Sequence, residues 1–378
     1  MKTKLMILFI YLMAAVTPGA YADPPESTVS SLGTVGPLIA SIEEWDGIIS
    51  VVAEEYQPEK RASKRTFHYI DLIDKFIKPL IVKDGYDITA LGENKQHAFA
   101  LCSKNKDLFL FRKSRLVPNA SWEMQKLDFK IDGTREIKLA ANDIFLFILS
   151  ANHIWASRDA EPWRKIALNE IIGERKEVEP WPNWNSPHKV LATNNNLFLG
   201  YNGGEFGGAA YAIPLNGEGI SGAGLRIGSF NVCGLKEDRY GNDWIAGGLA
   251  HMGIRKAHLY QYNHGKIAVI IDQKGYQENN LTKFFKKEEQ AKLEIPITDI
   301  KGLAINAEGN PVLVGSEIGV FEYATGKISP VIKADMHGPV GIVIKNDDIY
   351  LASRSMGVYE FKKKNQRYEF QLITFESN

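Results

Sequence analysis

Few residues in this chain have both the type and the company to do chemistry. Glu205 and Phe206 sit among five glycines in "GYNGGEFGGAAYAIPL", residues 200–215. His251 and Arg255 lie in "AGGLAHMGIRKAHLY", and Trp181 and Trp184 are flanked by prolines in "RKEVEPWPNWNSP". A carboxylate beside an imidazole or guanidinium can transfer a proton, so Glu205 with His251 or Arg255 could act on a polysaccharide or a lactone. Two indoles, with Tyr201 and Phe206, supply stiff amphipathic area suited to sugar rings or a peptide. The same residues thus support an enzyme of the lactonase or lyase type and a binding surface. Against both stands a plainer reading, in which the tryptophans fill space between neighbouring elements and Glu205 tips a solvated loop. A purely structural assembly protein is the third possibility.

Linear motifs favour binding. No G-x-S-x-G elbow, Walker A loop, H-E-x-x-H or C-x-x-C occurs. The eight histidines are scattered. His251 and His258, seven apart, fall on opposite faces of a strand and make a poor ligand pair. Asp347 and Asp348 read as a hairpin turn. No catalytic residue, metal or cofactor is therefore expected. Cys102 and Cys233 read as buried thiols, with a bridge as the alternative.

With 45 basic and 45 acidic residues the formal net charge is zero, which argues against a nucleic-acid binder or a polybasic membrane-surface protein. Lys2 and Lys4 precede the apolar run "LMILFIYLMAAV", and Ala20-Tyr21-Ala22 follows as an A-x-A cleavage site. Residues 1–22 are read as a bacterial signal peptide, and residues 23–378 as one exported domain, periplasmic or secreted. No later run is long and apolar enough for a transmembrane helix. The mature protein is expected to be soluble and monomeric, with a protein or polysaccharide as its ligand.

The elements that must carry these residues form a repeat. "LAINAEGNPVLVGSEIGVFEYATGKISPVI" from Leu303 and "GIVIKNDDIYLASRSMGVYEFKKKNQRYEFQLI" from Gly341 share one order of strands and turns. Related stretches begin at Arg135, His188 and Asn231, with a looser copy from His97. The runs are β-branched and aromatic, and the breaks hold Asn, Asp and Gly. Taking Asp46, Asp107, Asp143, Asn196, Asp243, Asn310 and Asp348 as first-hairpin markers gives a spacing of about 50 residues. Four-stranded units of that size stack around an axis. The fold class is all-β, a β-propeller of seven blades, with six or eight as alternatives and a β-sandwich repeat as runner-up. The N-terminal blade, residues 35–85, fits least well. There Asp46-Gly47 marks a hairpin and "TFHYIDLIDKFIKPLIV" supplies two strands, with helix as the rival.

Loop lengths then select a face. In such a blade the second-to-third turn and the blade-to-blade connections lie at one end. The turn containing Tyr201, Glu205 and Phe206, the insertion with His251 and Arg255, and the connection with Trp181 and Trp184 are all enlarged there, on adjacent blades. Long loops at one rim of a repeat fold commonly form its binding face. The stretch "QKGYQENNLTKFFKKEEQAKLEIP", residues 273–296, is a further insertion, read as a flap with a short surface helix.

"DRYGNDWIAGG", "NAEGNPVLVGSEIGVFEY" and "NDDIYLASRSMGVYEF" resemble the repeats of two-component-regulator-type periplasmic propellers, in which a G-N-x-W/L-x-G/A strand precedes a G-L/V-aromatic strand. The resemblance covers roughly residues 88–376. It implies the fold and no specific activity. His153 replaces the glycine that opens the third strand in the sister repeats.

Overall fold

The structure is a computed structural model and describes residues 37–57, 62–131, 137–158, 162–173, 186–204, 207–251, 254–276, 299–315, 319–333, 338–364 and 367–376. The strands follow one another as antiparallel runs of four. The first run is β1 (Leu38–Trp45), β2 (Ile48–Gln57), β3 (Ala62–Asp71) and β4 (Phe76–Pro79). The second is β5 (Asp87–Glu93), β6 (His97–Lys104), β7 (Asp107–Ser114) and β8 (Glu123–Lys126). The third is β9 (Lys138–Ala141), β10 (Phe145–Leu149), β11 (His153–Arg158) and β12 (Trp163–Ala167), closed by a helical turn, α1 (Leu168–Ile172). In the fourth, β13 (Lys189–Ala192) and β14 (Asn196–Asn202) lead to β15 (Gly208–Asn216), which pairs with both β16 (Gly219–Ile220) and β17 (Leu225–Gly228). The fifth is β18 (Val232–Glu237), β19 (Asp243–His251), β20 (Ile254–Asn263) and β21 (Lys266–Tyr276). The sixth is β22 (Gly302–Ile305), β23 (Pro311–Gly315), β24 (Gly319–Ala324) and β25 (Lys327–Ile332). The last is β26 (Pro339–Lys345), β27 (Asp348–Ser353), β28 (Gly357–Lys364) and β29 (Arg367–Phe375).

Each run is one blade of a β-propeller. Clusters of buried side chains lie between blades, each drawn from two neighbours. Phe99, Leu101 and Leu110 of the second blade meet Leu139, Ile148 and Trp155 of the third, for example. Because both faces of a blade are covered, its second strand loses the two-residue alternation. All five residues of Phe145–Leu149 are buried, as are all five of Pro311–Gly315. Outer strands such as β8 and β25 keep exposed positions.

Turn chemistry accounts for the repeat. Asn94, Asn142, Thr193, Asp238 and Asn306 end the inner-strand segments, and their side-chain oxygens accept backbone N–H bonds from the first hairpin. Two of them also link blades. Asn94 Nδ2 donates to the Asn142 carbonyl and Asn142 Nδ2 to that of Thr193, both at 2.8 Å. Asp107, expected to mark a first hairpin, instead follows the second one, where Asn105 and Lys106 take positive φ in a two-residue turn. The first hairpin of that blade turns at Asn94, because its inner strand begins at Asp87, upstream of the stretch read from His97.

The described residues of the N-terminal region form strands joined by turns, with no helix among them. Asp46 (φ 50°) and Gly47 (φ 72°) form the expected hairpin turn, and the helical alternative is set aside. This first blade and the last meet along two lines. At the axis β26 lies beside β1, where a Cβ on Gly341 would come within 2.9 Å of the Ile42 side chain. At the rim β29 and β4 pair in parallel through Thr374–Phe76 and Phe375–Ile77. Among the described residues the ring thus closes by contact between the first and last blades, with no strand exchanged between them.

Candidate functional site

Of the residues selected from the sequence, Trp181, Trp184, Glu205 and Phe206 lie outside the described residues, as does the Phe284–Phe285 segment. Tyr201 is in β14, paired with Ala209, and is only 3% exposed. Its ring meets Tyr211 edge-on at 6.0 Å within the core between the third and fourth blades. It was expected on the enlarged turn. The second strand runs on through Asn202 and carries Tyr201 beneath the neighbouring blade, so its ring is not part of an exposed face. His251 and Arg255 belong to a lengthened hairpin rather than to a loop. His251 pairs with Ile254, and Arg255 pairs with Ala250 and Gly275. Strand extension, continued in β21 to Tyr276, accounts for the insertion there.

The glycine-rich turn is tied to the next blade. Asn231 Oδ1 accepts from the Gly203 N–H at 3.1 Å, and Asn231 Nδ2 donates to the Gly204 carbonyl. A Cβ on Gly208 would fall on the Tyr201 carbonyl oxygen and within 2.6 Å of that of Phe230. Only glycine fits that approach. Gly204 and Gly207 take φ of 65° and 94°. Turn geometry and interblade packing therefore explain the run of glycines, and the turn that carries Glu205 and Phe206 is anchored at its base.

A second set of groups, not singled out from the sequence, converges on the axis. Lys189 opens the inner strand of the fourth blade, and its Nζ lies 2.6 Å from Glu43 Oε1 on the inner strand of the first. That ion pair spans the ring, so the axial channel is narrow. Half of the Glu43 side chain (53%) is accessible, within a channel walled by the blades. Burial would raise its pKa, but the ammonium groups of Lys189, Lys236 and Lys138 outweigh this and bring it down to about 2. Lys236 also acts on Glu93 of the second blade, whose carboxyl is raised by burial and partly relieved by the Asp46 N–H at 2.6 Å. Beside Lys189, burial pushes the His188 imidazole down to about 3, with Lys138, Lys189 and Arg65 adding to the effect. His188 is thus neutral at neutral pH.

Other charges near the inner strands are paired. Lys345 holds Glu44 at 2.8 Å, Arg65 holds Glu54 at 3.1 Å and Lys301 lies 3.3 Å from the buried Asp299. By contrast, among the described residues no carboxylate lies within ion-pair distance of Lys236. Cys233, in β18, is pushed up to about 12 by burial, and its Sγ sits 3.4 Å from the Ala246 carbonyl. Cys102 is buried and likewise pushed up to about 12. Both thiols are free and occupy different blades, without the alternative bridge. Among the described residues no three His, Cys, Asp or Glu side chains are placed to hold a metal ion. No described helix is long and apolar enough to cross a membrane.

One sequence signal pointed to the axial lysines. The short inner strands "KLAA" and "KVLA" of successive blades each open on a lysine ahead of apolar residues. Both begin at the end of the blade where the long connections lie.

Neither a family model nor a curated protein matches the chain. Solved structures do. Sqt1 from Chaetomium thermophilum, solved bound to the N-terminus of ribosomal protein L10, is similar at a TM-score of 0.51 and 10% identity, over 89% of this chain and 88% of that one. The GH74 xyloglucanase from Xanthomonas campestris is similar at 0.51 and 9%, over 90% of this chain and 54% of that one. The Dos1 propeller gives 0.50 and 10%, over 88% and 83%. Identities this low speak for architecture alone: the chain is a β-propeller, built from four-stranded blades around a charged axis.

Proposed function

We propose that this is an exported, non-enzymatic binding protein, a seven-bladed propeller freed of residues 1–22. It would hold a protein partner or an envelope glycan on the face where the long connections gather, with Trp181, Trp184, Glu205, Phe206, His251 and Arg255 as contact residues. The observation that carries this reading is the convergence of two features at one end of the blades. The turn bearing Glu205 is anchored there by Asn231, and the inner strands that start with Lys138 and Lys189 open there onto the axis. A fixed rim around a charged axial opening suits recognition by a rigid scaffold. The test is capture from an envelope extract by the full mature chain, with the partner identified by mass spectrometry. The Trp181→Ala/Trp184→Ala variant should lose that partner by more than about tenfold, as truncation of aromatic anchors does. Retention of the partner by this variant overturns the assignment of the face. Loss of a turnover on Glu205→Gln, with the partner still bound, overturns the non-enzymatic reading.

A further inference from the structure

We infer that Asn216 is a site of spontaneous covalent modification, cyclisation onto Gly217 with loss of ammonia, and that the other Asn-Gly pair of the chain is shielded from it. The sequence holds two such pairs, Asn202-Gly203 and Asn216-Gly217. In each the backbone nitrogen of the glycine can attack the asparagine amide carbon, because no side chain crowds or restricts the glycine. Locally the two look alike. Each asparagine folds its side chain over the following peptide: Asn202 Oδ1 accepts from the Gly204 N–H at 2.9 Å, and Asn216 Oδ1 from that of Glu218 at 2.8 Å. That bond polarises the carbonyl to be attacked.

The attacking nitrogens differ. The Gly203 N–H is held twice, by the Gly207 carbonyl at 2.7 Å and by Asn231 Oδ1 at 3.1 Å, inside the turn anchored to the fifth blade. Gly217 stands at the exposed tip of the β15–β16 hairpin, where Asn216 pairs with Gly219. Its N–H meets no acceptor among the described residues, and a Cβ added there would lie in open space.

The step balances with water alone. Hydroxide takes the Gly217 N–H proton, the nitrogen bonds to the Asn216 amide carbon, and ammonia leaves to give a cyclic imide. Water then opens either carbonyl, giving aspartate or its β-linked isomer. Both products place a new carboxylate near Glu218. The isomer also adds a methylene to the main chain of a two-residue turn, so Leu215–Ile220 and Asn216–Gly219 lose register. Because β15 is also paired with β14 and β17, the blade stands and only β16 is released.

The test is incubation of the full mature chain at mildly alkaline pH, native and in urea, with each asparagine followed by peptide mapping. The β-linked isomer marks the imide route. In urea the two sites should react at similar rates. In the native chain Asn216 should react about tenfold faster than Asn202, the worth of the hydrogen bonds that must open at Gly203. Gly217→Ala, which has room for its methyl group, should slow Asn216 severalfold and leave Asn202 unchanged. Asn231→Ala should speed Asn202 and leave Asn216 unchanged, since it frees only the Gly203 turn. Equal native rates at the two sites overturn the inference, as does faster reaction at Asn202 or an Asn216 product without the β-linked isomer.

Discussion

The seam between the first and last blades is held at the rim by a buried charge, and replacing Lys75 by Met tests how much depends on it. Glu360 in β28 is 2% exposed and accepts from Lys75 Nζ and from the Tyr350 hydroxyl, each at 2.8 Å, with Lys362 farther away at 3.6 Å. Lys75 belongs to the β3–β4 turn, so this ion pair crosses from one blade to the other, next to the two-residue parallel ladder. Removing one partner of a fully buried pair costs about 3–5 kcal/mol. Here Lys75 is 22% exposed and Lys362 remains near, so screening reduces the expected cost to about 2 kcal/mol, roughly thirtyfold in the folding equilibrium.

The pH dependence gives the sharper test. Burial raises the Glu360 pKa, but the bonds from Lys75 and Tyr350 and the nearby Lys362 outweigh it and leave it lowered. A carboxylate with a depressed folded pKa contributes stability above its unfolded pKa and loses it as pH falls through the folded value. Without Lys75, burial dominates and the folded pKa rises above the unfolded one. Protonation then favours the folded state, so the deficit of Lys75→Met should be largest at neutral pH and shrink toward pH 5. Urea unfolding at several pH values measures both. Hydrogen exchange should quicken first in β4 and β29. Lys75→Met/Glu360→Gln should recover most of the loss, since Gln keeps a bond to Tyr350. A deficit that does not change with pH, or one the double variant does not relieve, refutes the reasoning.

Three further outcomes follow from the packing. Gly208→Ala places a Cβ on backbone carbonyls that cannot move aside and should cost about 3 kcal/mol or more in urea unfolding, whereas Gly217→Ala, with open space around it, should stay within about 1 kcal/mol. Asn231→Ala removes two bonds to the 203–204 turn and should cost about 1–2 kcal/mol, with faster protease cleavage there in the native state. A thiol reagent such as dithionitrobenzoate should find no reactive cysteine in native protein at pH 8 and two in urea, because burial pushes Cys102 and Cys233 up to about 12.

Much of the architecture was legible because it rests on local chemistry. An Asn or Asp that caps a tight hairpin, followed by β-branched and aromatic residues, specifies strand and turn without reference to distant parts of the chain. Where the reading slipped, a local signal had two meanings. Asn105-Lys106-Asp107 looks like any first hairpin, and only pairing with β5 shows that it is the second. Tyr201, after Leu199-Gly200 and before the glycines, reads equally as strand end or turn. Its burial is set by the adjoining blade.

The sequence by itself therefore determined the repeat, the strand-rich blades and the end at which long connections gather, since each is written in turns and short runs of residues. Only the tertiary structure decided that Lys189 meets Glu43 across the axis, 146 residues away, and that the charge of Lys236 acts on both Glu43 and Glu93. It also decided that Lys75 reaches Glu360 to hold the seam. Those placements depend on where blades distant in the chain face one another once the ring closes, and no local propensity encodes that.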